Sequence, residues 1–269
     1  MTVSLIISTY NWPEALELCL KSVMKQSVKP NEVIVADDGS TGVTKKSIDD
    51  FRKSYKNTLK HIWHQDHGFK LAEIRNKAVS EANGDYIIQI DGDIILHDDF
   101  IKDHKGFAKR NSFIKGRRVM IGKTKSQIIL KDKSISVSFL SADLKMREHG
   151  IRIPFFNEIF KTKEEHSADG VLGSNMAFWR DDFLKVNGYN NALKGWGAED
   201  KELAQRFINL GLVKRKIKYG AIQYHIYHHQ CDRRKHDEQV AEIEVLKISK
   251  KTTCDNGLNE IQKDYIIYE

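Results

Sequence analysis

Tyr86-Ile87-Ile88-Gln89-Ile90-Asp91-Gly92-Asp93 is the stretch that decides the fold. A short, mostly apolar run ends in two carboxylates one residue apart, which reads as a buried strand followed by a tight polar turn. The segment before it, Leu71 to Ala82, reads as a helix, with Leu71, Ile74, Ala78, Val79 and Ala82 on one face. Asn83-Gly84 closes that helix, and Gly84 is expected in the left-handed cap. Working outward, the same unit recurs. Val3 to Ser8 reads as a strand, followed by a helix that Asn11 would cap, with Pro13 in its first turn and Glu14 three residues after the cap. Glu32 to Ala36 is a second strand ending at Asp37-Asp38-Gly39-Ser40, Val43 to Tyr55 a helix, and Lys60 to His64 a third strand. Strands alternating with helices predict a largely parallel sheet covered on both faces. In such sheets ligands sit beyond the carboxyl ends of the strands. Ser8-Thr9-Tyr10-Asn11, Asp37-Asp38-Gly39-Ser40 and Asp91-Gly92-Asp93 should therefore converge on one rim.

The second half is less regular. A helix is expected over Ser141 to His149, and another over Asp181 to Val186 that Asn187-Gly188 closes. Further helices are expected over Asp200 to Leu210, ended by Gly211, and over His236 to Lys250, with a strand at Ala221 to Tyr227. Three prolines and scattered glycines mark no clean domain boundary, and no internal repeat is present.

Composition narrows the function classes. The 269 residues carry a net charge of +7, with basic runs at Lys102 to Arg118, Lys123 to Lys133, Lys214 to Lys218 and Arg233 to Lys235. Such a surface favours phosphorylated ligands, polyanions or anionic lipid headgroups. No motif for specific nucleic-acid recognition accompanies it. Three widely spaced cysteines, Cys19, Cys231 and Cys254, argue against a disulfide framework and for a reducing, cytoplasmic setting. The first residues, Met1 to Ser8, read as a strand rather than a signal peptide. No apolar run approaches the roughly 18 residues of a membrane span.

Asp91 and Asp93 form a compact pair of hard oxygen donors, suited to a divalent cation that also binds phosphate oxygens. Gly92 between them allows a close backbone approach. Asp38 ends a strand, where a carboxylate can accept a hydrogen bond from a nucleobase imide. Arg75, one turn into a helix, can reach a phosphate. Gly195-Trp196-Gly197-Ala198-Glu199-Asp200 puts two carboxylates at a helix start, where the helix dipole favours ionisation, behind an aromatic face for a sugar ring. A carboxylate so placed suits a general base for a hydroxyl nucleophile. His225, His228 and His229 follow an apolar strand, and at least one is expected to join the carboxylates as a metal ligand. Mn²⁺ or Mg²⁺ fits such a mixed donor set, and zinc is disfavoured.

Together these residues resemble family 2 glycosyltransferases with the GT-A fold. The sequence Ser-Thr-Tyr-Asn, then Asp-Asp-Gly-Ser, then Gly-Phe-x-Leu-Ala-x-x-Arg-Asn, then D-x-D, occurs in the expected order. Gly173 to Phe178, Asn187-Gly188-Tyr189 and Gly195 to Asp200 resemble the C-terminal region of β-1,4-galactosyltransferases and chondroitin polymerases. The likeness spans roughly residues 1 to 235. It implies an α/β GT-A (Rossmann-like) fold: a mostly parallel sheet flanked by helices, with a smaller mixed acceptor-side region. Residues 1–110 would be the nucleotide-sugar half and 111–235 the acceptor half, with a helical extension over 236–269. Ser8, Tyr10 and Asn11 would line the nucleotide pocket, Asp38 would bond the uracil, and Arg75 and Asp91, with Gly92, would meet the donor. Asp93 would bind the metal with His228, His225 being the next candidate. Asp200 would be the general base, Glu199 would hold an acceptor hydroxyl, and Trp196 would pack on sugar.

The implied activity is metal-assisted, inverting transfer of a hexose or N-acetylhexosamine from a UDP-sugar to a glycan or lipid-linked glycan. Its setting would be bacterial surface polysaccharide or lipopolysaccharide synthesis at the inner face of an anionic membrane. A nucleotidyltransferase would use the same sheet but needs a glycine-rich loop after the first strand, and Ser8 to Pro13 contains no glycine. A non-catalytic glycan-binding module is the other alternative, and it would gain no stability from UDP.

Overall fold

The computed structural model describes residues 1–159, 164–193, 199–229 and 236–269. The first half builds a repeating strand–helix unit: β1 Val3–Thr9, α1 Pro13–Met24, β2 Glu32–Asp37, α2 Gly42–Arg52, β3 Thr58–His64, α3 Leu71–Ser80 and β4 Tyr86–Asp91. Then come β5 Ile94–Leu96, α4 Phe100–Phe107, β6 Ser112–Lys115, β7 Val119–Ile121, α5 Lys123–Asp132, β8 Leu144–Lys145 and α6 Pro154–Ile159. The chain continues with β9 Asn175–Trp179, α7 Arg180–Lys185, α8 Glu199–Asn209, β10 Val213–Lys216, β11 Gln223–His225, α9 His236–Ser249 and β12 Tyr265–Tyr268.

The main sheet runs β10-β6-β9-β4-β1-β2-β3-β12. Strands β4, β1, β2 and β3 are mutually parallel, as the alternation predicts. β9 enters antiparallel between β4 and β6, and β12 lies antiparallel on the outer edge of β3. Both faces are covered. Val3, Leu5 and Ile7 of β1 point into one core with Leu16, Leu20 and Val23 of α1. Ile6 faces the opposite core with Ile74, Ala78 and Val79 of α3 and Leu203 and Phe207 of α8. This two-sided burial explains the near-continuous apolar runs of the central strands. A smaller sheet, β5-β11-β7-β8, sits beside the carboxyl end of β4.

Register delivers the convergence. Ser8 pairs with Asp91, and Thr9 with Asp37, so the polar ends of β1, β2 and β4 lie side by side on one rim.

Several local expectations are corrected. Asn11 does not cap α1, whose N-cap is Trp12. Asn11 sits at φ 45° and its Oδ1 accepts from Thr41 N at 2.9 Å, clamping the turn after β2. Gly84 is not left-handed. A Cβ there would stand 2.5 Å from Ser4 Oγ, so glycine is needed for close approach to β1. The helix expected over Ser141 to His149 is instead β8 and a 3₁₀ turn at Arg147–Gly150. The C-terminal extension is helical only in α9 and ends in the strand β12. The expected closures at Asn187-Gly188 and Gly211 are present, with φ of 61°, 65° and 96°.

Candidate active site

The rim opens into a cleft of about 980 Å³, lined among others by Arg75, Asp91, Gly173, Asp200, His225 and His228. Its centre is Arg75 on α3, whose side chain is 1% exposed. Arg75 Nε donates to Ser8 Oγ at 3.1 Å, Nη2 to Asp91 Oδ1 at 3.1 Å and Nη1 to Asp200 Oδ1 at 3.0 Å. Glu199 Oε1 lies 3.7 Å from Nη1. Burial works against the Arg75 charge, and Asp200, Asp91 and Glu199 more than offset it. The likeness places Arg75 by the donor. The structure also ties it to the candidate base.

Asp200 stands at the start of α8 and draws donors from three directions. Gly173 N reaches Oδ2 at 2.6 Å, and Tyr189 OH reaches Oδ1 at 3.1 Å beside Arg75. The single hydroxyl hydrogen of Tyr189 lies between two acceptors, Asp200 Oδ1 and Gln89 Oε1, the latter at 2.9 Å. Asp200 is part of the cleft lining, and its side chain is 15% exposed. A Cβ on Gly173 would fall 2.2 Å from Asp200 Oδ1, so this approach requires glycine. Tyr189, Gly173 and Gln89 carry no signal of this contact in the sequence, beyond the presence of Gly173 and Tyr189 in shared motifs. Trp196 lies outside the described residues.

Asp91 and Asp93 diverge in role. Burial pushes the Asp91 carboxyl up to about 6, with Asp93 and Asp200 adding to the rise and Arg75 opposing it. Asp93 turns toward β11. His225 Nε2 lies 3.4 Å and His228 Nε2 3.2 Å from Asp93 Oδ2. Strand pairing makes this meeting: His225 is the register partner of Ile94, and Ile226 N bonds Asp93 O. Burial raises the Asp93 carboxyl, yet the His228 hydrogen bond and the charges of His225, His228 and Arg118 hold it below its ordinary range. Burial and the hydrogen bond of Asp93 thus set opposite directions for the two rings: His225 is lowered and His228 raised.

The donor set fits a divalent cation. One ligand atom from each of Asp93, His225 and His228 lies within 4.8 Å of the others, and Asp93 Oδ1 and His225 Nδ1 are buried without a hydrogen-bond partner. Exposed His229 is not in this trio. Gly92 N donates to Ser8 O at 2.7 Å, so its backbone approaches β1.

At the other end of the rim, Tyr10 is 53% exposed and its hydroxyl donates to Asp66 Oδ2 at 2.9 Å. Asp38 is buried. Its Oδ1 bonds His64 Nε2 at 2.8 Å and its Oδ2 accepts from Lys70 N at 3.0 Å. Burial lifts the Asp38 carboxyl above its ordinary range, against both of these contacts. His64 and Asp66 are absent from the sequence-derived site because nothing local marks them.

The model of glycosyl transferase family 2 matches residues 4–186, more than half of the chain, including the mutually parallel strands β1 to β4 and the carboxylates at their ends. The chain belongs to that family. A second model, the N-terminal domain of galactosyltransferase, matches residues 154–229, which contain Gly173, Tyr189, Asp200 and the histidines. The chain is 24% identical over 246 residues to a chondroitin synthase of Escherichia coli, covering 83% of this chain and 34% of that protein. It therefore spans about a third of that relative's length. Among solved structures, Staphylococcus aureus TarS 1–349 in complex with UDP aligns with TM-score 0.61 at 17% identity, over 93% of this chain and 68% of that one. GalNAc-T7 with UDP, GalNAc and Mn²⁺ aligns with TM-score 0.63 at 17% identity, over 86% and 44%. The family 2 chain thus has the GT-A fold. Among the described residues no helix is long and apolar enough to cross a membrane.

Proposed function

We propose that this family 2 chain transfers a hexose or N-acetylhexosamine from a UDP-sugar to a glycan hydroxyl with inversion. The observation that carries the reading is Asp200: a carboxylate held by Arg75, Tyr189 and Gly173 N that lines the same cleft as His225 and His228, the two rings that meet Asp93. The acceptor hydroxyl gives its proton to Asp200 Oδ2 as its oxygen bonds the anomeric carbon. The bond from that carbon to the diphosphate breaks, and its electron pair leaves with UDP. Attack opposite the leaving group turns an α-linked donor into a β-glycoside. A divalent ion on Asp93, His225 and His228 would bind diphosphate oxygens and offset their charge. Arg75 fixes Asp91 and Asp200 relative to each other, so base and donor site share one rigid reference. Tyr10 and Asp38 would hold the uracil, and Glu199 the acceptor.

The acceptor is proposed to carry an acidic group, phosphate or carboxylate, and to belong to a surface polysaccharide or a lipid-linked glycan at an anionic membrane. Lys115, Arg117, Lys123 and Lys145 line the cleft and have no ion pair of their own among the described residues. The cleft carboxylates, in contrast, are engaged: Asp91 and Asp200 by Arg75, and Asp143 by Lys125 N. The chondroitin synthase likeness supports a polysaccharide product.

The test is a panel of UDP-sugars with Mn²⁺, read as UDP release without acceptor and as thermal stabilisation by UDP. One donor should be hydrolysed slowly and UDP should raise the Tm. No hydrolysis of any donor together with no stabilisation by UDP would overturn the reading.

A further inference from the structure

The C-terminal strand β12 has no part in the chemistry above, yet it lies against the strand that supports the turn after β2. Tyr265 pairs in register with His64, and Tyr268 with His61. Both histidines reach carboxylates at the end of β2. His61 Nε2 lies 2.9 Å from Asp37 Oδ2 and His64 Nε2 lies 2.8 Å from Asp38 Oδ1. The far side of His64 meets Lys77, which is fully buried on α3. Lys77 Nζ contacts His64 Nδ1 at 3.1 Å, Glu73 Oε1 at 2.8 Å and Asp264 Oδ1 at 2.6 Å. Asp264 directly precedes β12.

An ammonium group has three donors and no acceptor. All three of those on Lys77 are used, so His64 Nδ1 must accept. The ring hydrogen then sits on Nε2 and points at Asp38. The second oxygen of Asp38 takes Lys70 N. The orientation of Asp38 is thus set by a chain that runs Asp264, Lys77, His64, Asp38. Lys77, His64 and Asp38 are buried and Asp264 closes the chain at the surface, so removing Asp264 leaves one donor of a buried ammonium without its partner.

We infer that Asp264 and its strand are positioning elements for the base-reading carboxylate, so that the C-terminal tail sets nucleobase selectivity. This rests on the reading of Asp38 as the uracil partner. A fixed carboxylate accepts from the N3–H of uracil. Cytosine presents an acceptor at that position and leaves the pairing unmade. Loosening Asp38 should therefore cost UDP more than CDP.

The experiment measures UDP and CDP dissociation constants by calorimetry with Mn²⁺ present, for the wild-type chain and for Asp264→Ala, Asp264→Glu and Asp38→Ala. Asp264 is half exposed, so its variants should fold, and Tm is recorded for each. The preference for UDP over CDP should fall at least fivefold in Asp264→Ala and return in Asp264→Glu. A lower Tm with an unchanged preference would mean a merely structural tail and would overturn the inference. If Asp38→Ala loses the preference while Asp264→Ala keeps it, the tail inference fails alone. If Asp38→Ala also keeps it, the uracil reading fails and the inference falls with it.

Discussion

Arg75 Nη1 lies 3.0 Å from Asp200 Oδ1, and the two residues are 125 positions apart in sequence. The same guanidinium bonds Asp91, so the end of β4 and the start of α8 are joined through one buried fork. A lysine could not make both contacts with fixed geometry. Asp200→Asn keeps the shape but removes the carboxylate proposed as the base. It should lower kcat by about 10³-fold, within the range general-base loss gives, while the UDP dissociation constant moves less than threefold. Turnover near wild type would remove Asp200 from the role. Arg75→Lys should lower both kcat and donor affinity, because it frees Asp91 as well.

Gly173 tests the same site from the backbone. Its amide donates to Asp200 Oδ2, and a methyl group there would collide with the carboxylate. A displacement of about 1 Å can cost about 10²-fold in rate. Gly173→Ala should therefore lose about that much kcat with UDP affinity nearly intact, since Gly173 bonds Asp200 and Gln89. A fully active Gly173→Ala enzyme would show that Asp200 need not sit where the structure puts it.

The trio of Asp93, His225 and His228 makes a separate prediction. With UDP present, Mn²⁺ binding followed by electron paramagnetic resonance should weaken at least tenfold in Asp93→Asn and in His228→Ala, and should be unchanged in His229→Ala. His225 is the more buried ring, so His225→Ala should also lower Tm. EDTA should suppress transfer and Mn²⁺ restore it. An effect of His229→Ala matching that of His228→Ala would redraw the donor set.

Much of this was legible in the sequence, for reasons of period and position. Apolar runs alternating with amphipathic helices report a parallel sheet, and the polar residues that end those runs must share a rim. Ser8, Asp37 and Asp91 do so by register. What stayed hidden is contact between distant segments. β9 inserts antiparallel between β4 and β6, and β12 closes the edge of β3, but strand periodicity names no neighbour. Arg75 reads as a phosphate contact from its place one turn into a helix, and its acidic partners Asp91 and Asp200 lie 16 and 125 positions away. Gly84 reads as a cap because a glycine after a helix usually is one. The reason for it here, Ser4, lies 80 residues away.

The unpaired cations predict a charge-dependent acceptor. Burial pushes the Lys115 ammonium down to about 8, and Lys216, Lys214 and Arg117 push it the same way. Raising the pH from 7 to 9 should therefore discharge Lys115 and weaken an acidic acceptor. The KM for a glucuronate-ended oligosaccharide should rise over that range and in Lys115→Met, with donor KM within twofold. A glucose-ended oligosaccharide should show neither change. Equal behaviour of the two acceptors would remove the anion subsite.

His104 gives a prediction about stability rather than rate. It is fully buried on α4, and its Nε2 bonds Asn175 Oδ1 at 3.0 Å. Asn175 in turn donates to Arg117 O and Ala221 O, which holds the cleft wall that carries Arg117 and Arg118. Burial lowers the imidazole from 6.5 to about 4, the Asn175 bond opposing it. The folded state thus resists a proton that the unfolded chain takes up. Above pH 6.5 neither state is protonated and His104 has no effect on the pH profile. Between 6.5 and about 4 only the unfolded chain gains the proton, so stability falls as pH falls. The full gap corresponds to about 3 kcal/mol at 1.36 kcal/mol per pH unit. Urea unfolding at pH 7 and pH 4 should show a smaller acid loss in His104→Gln than in wild type, by about that amount. Parallel losses in the two proteins would show that His104 is not the group that resists the proton.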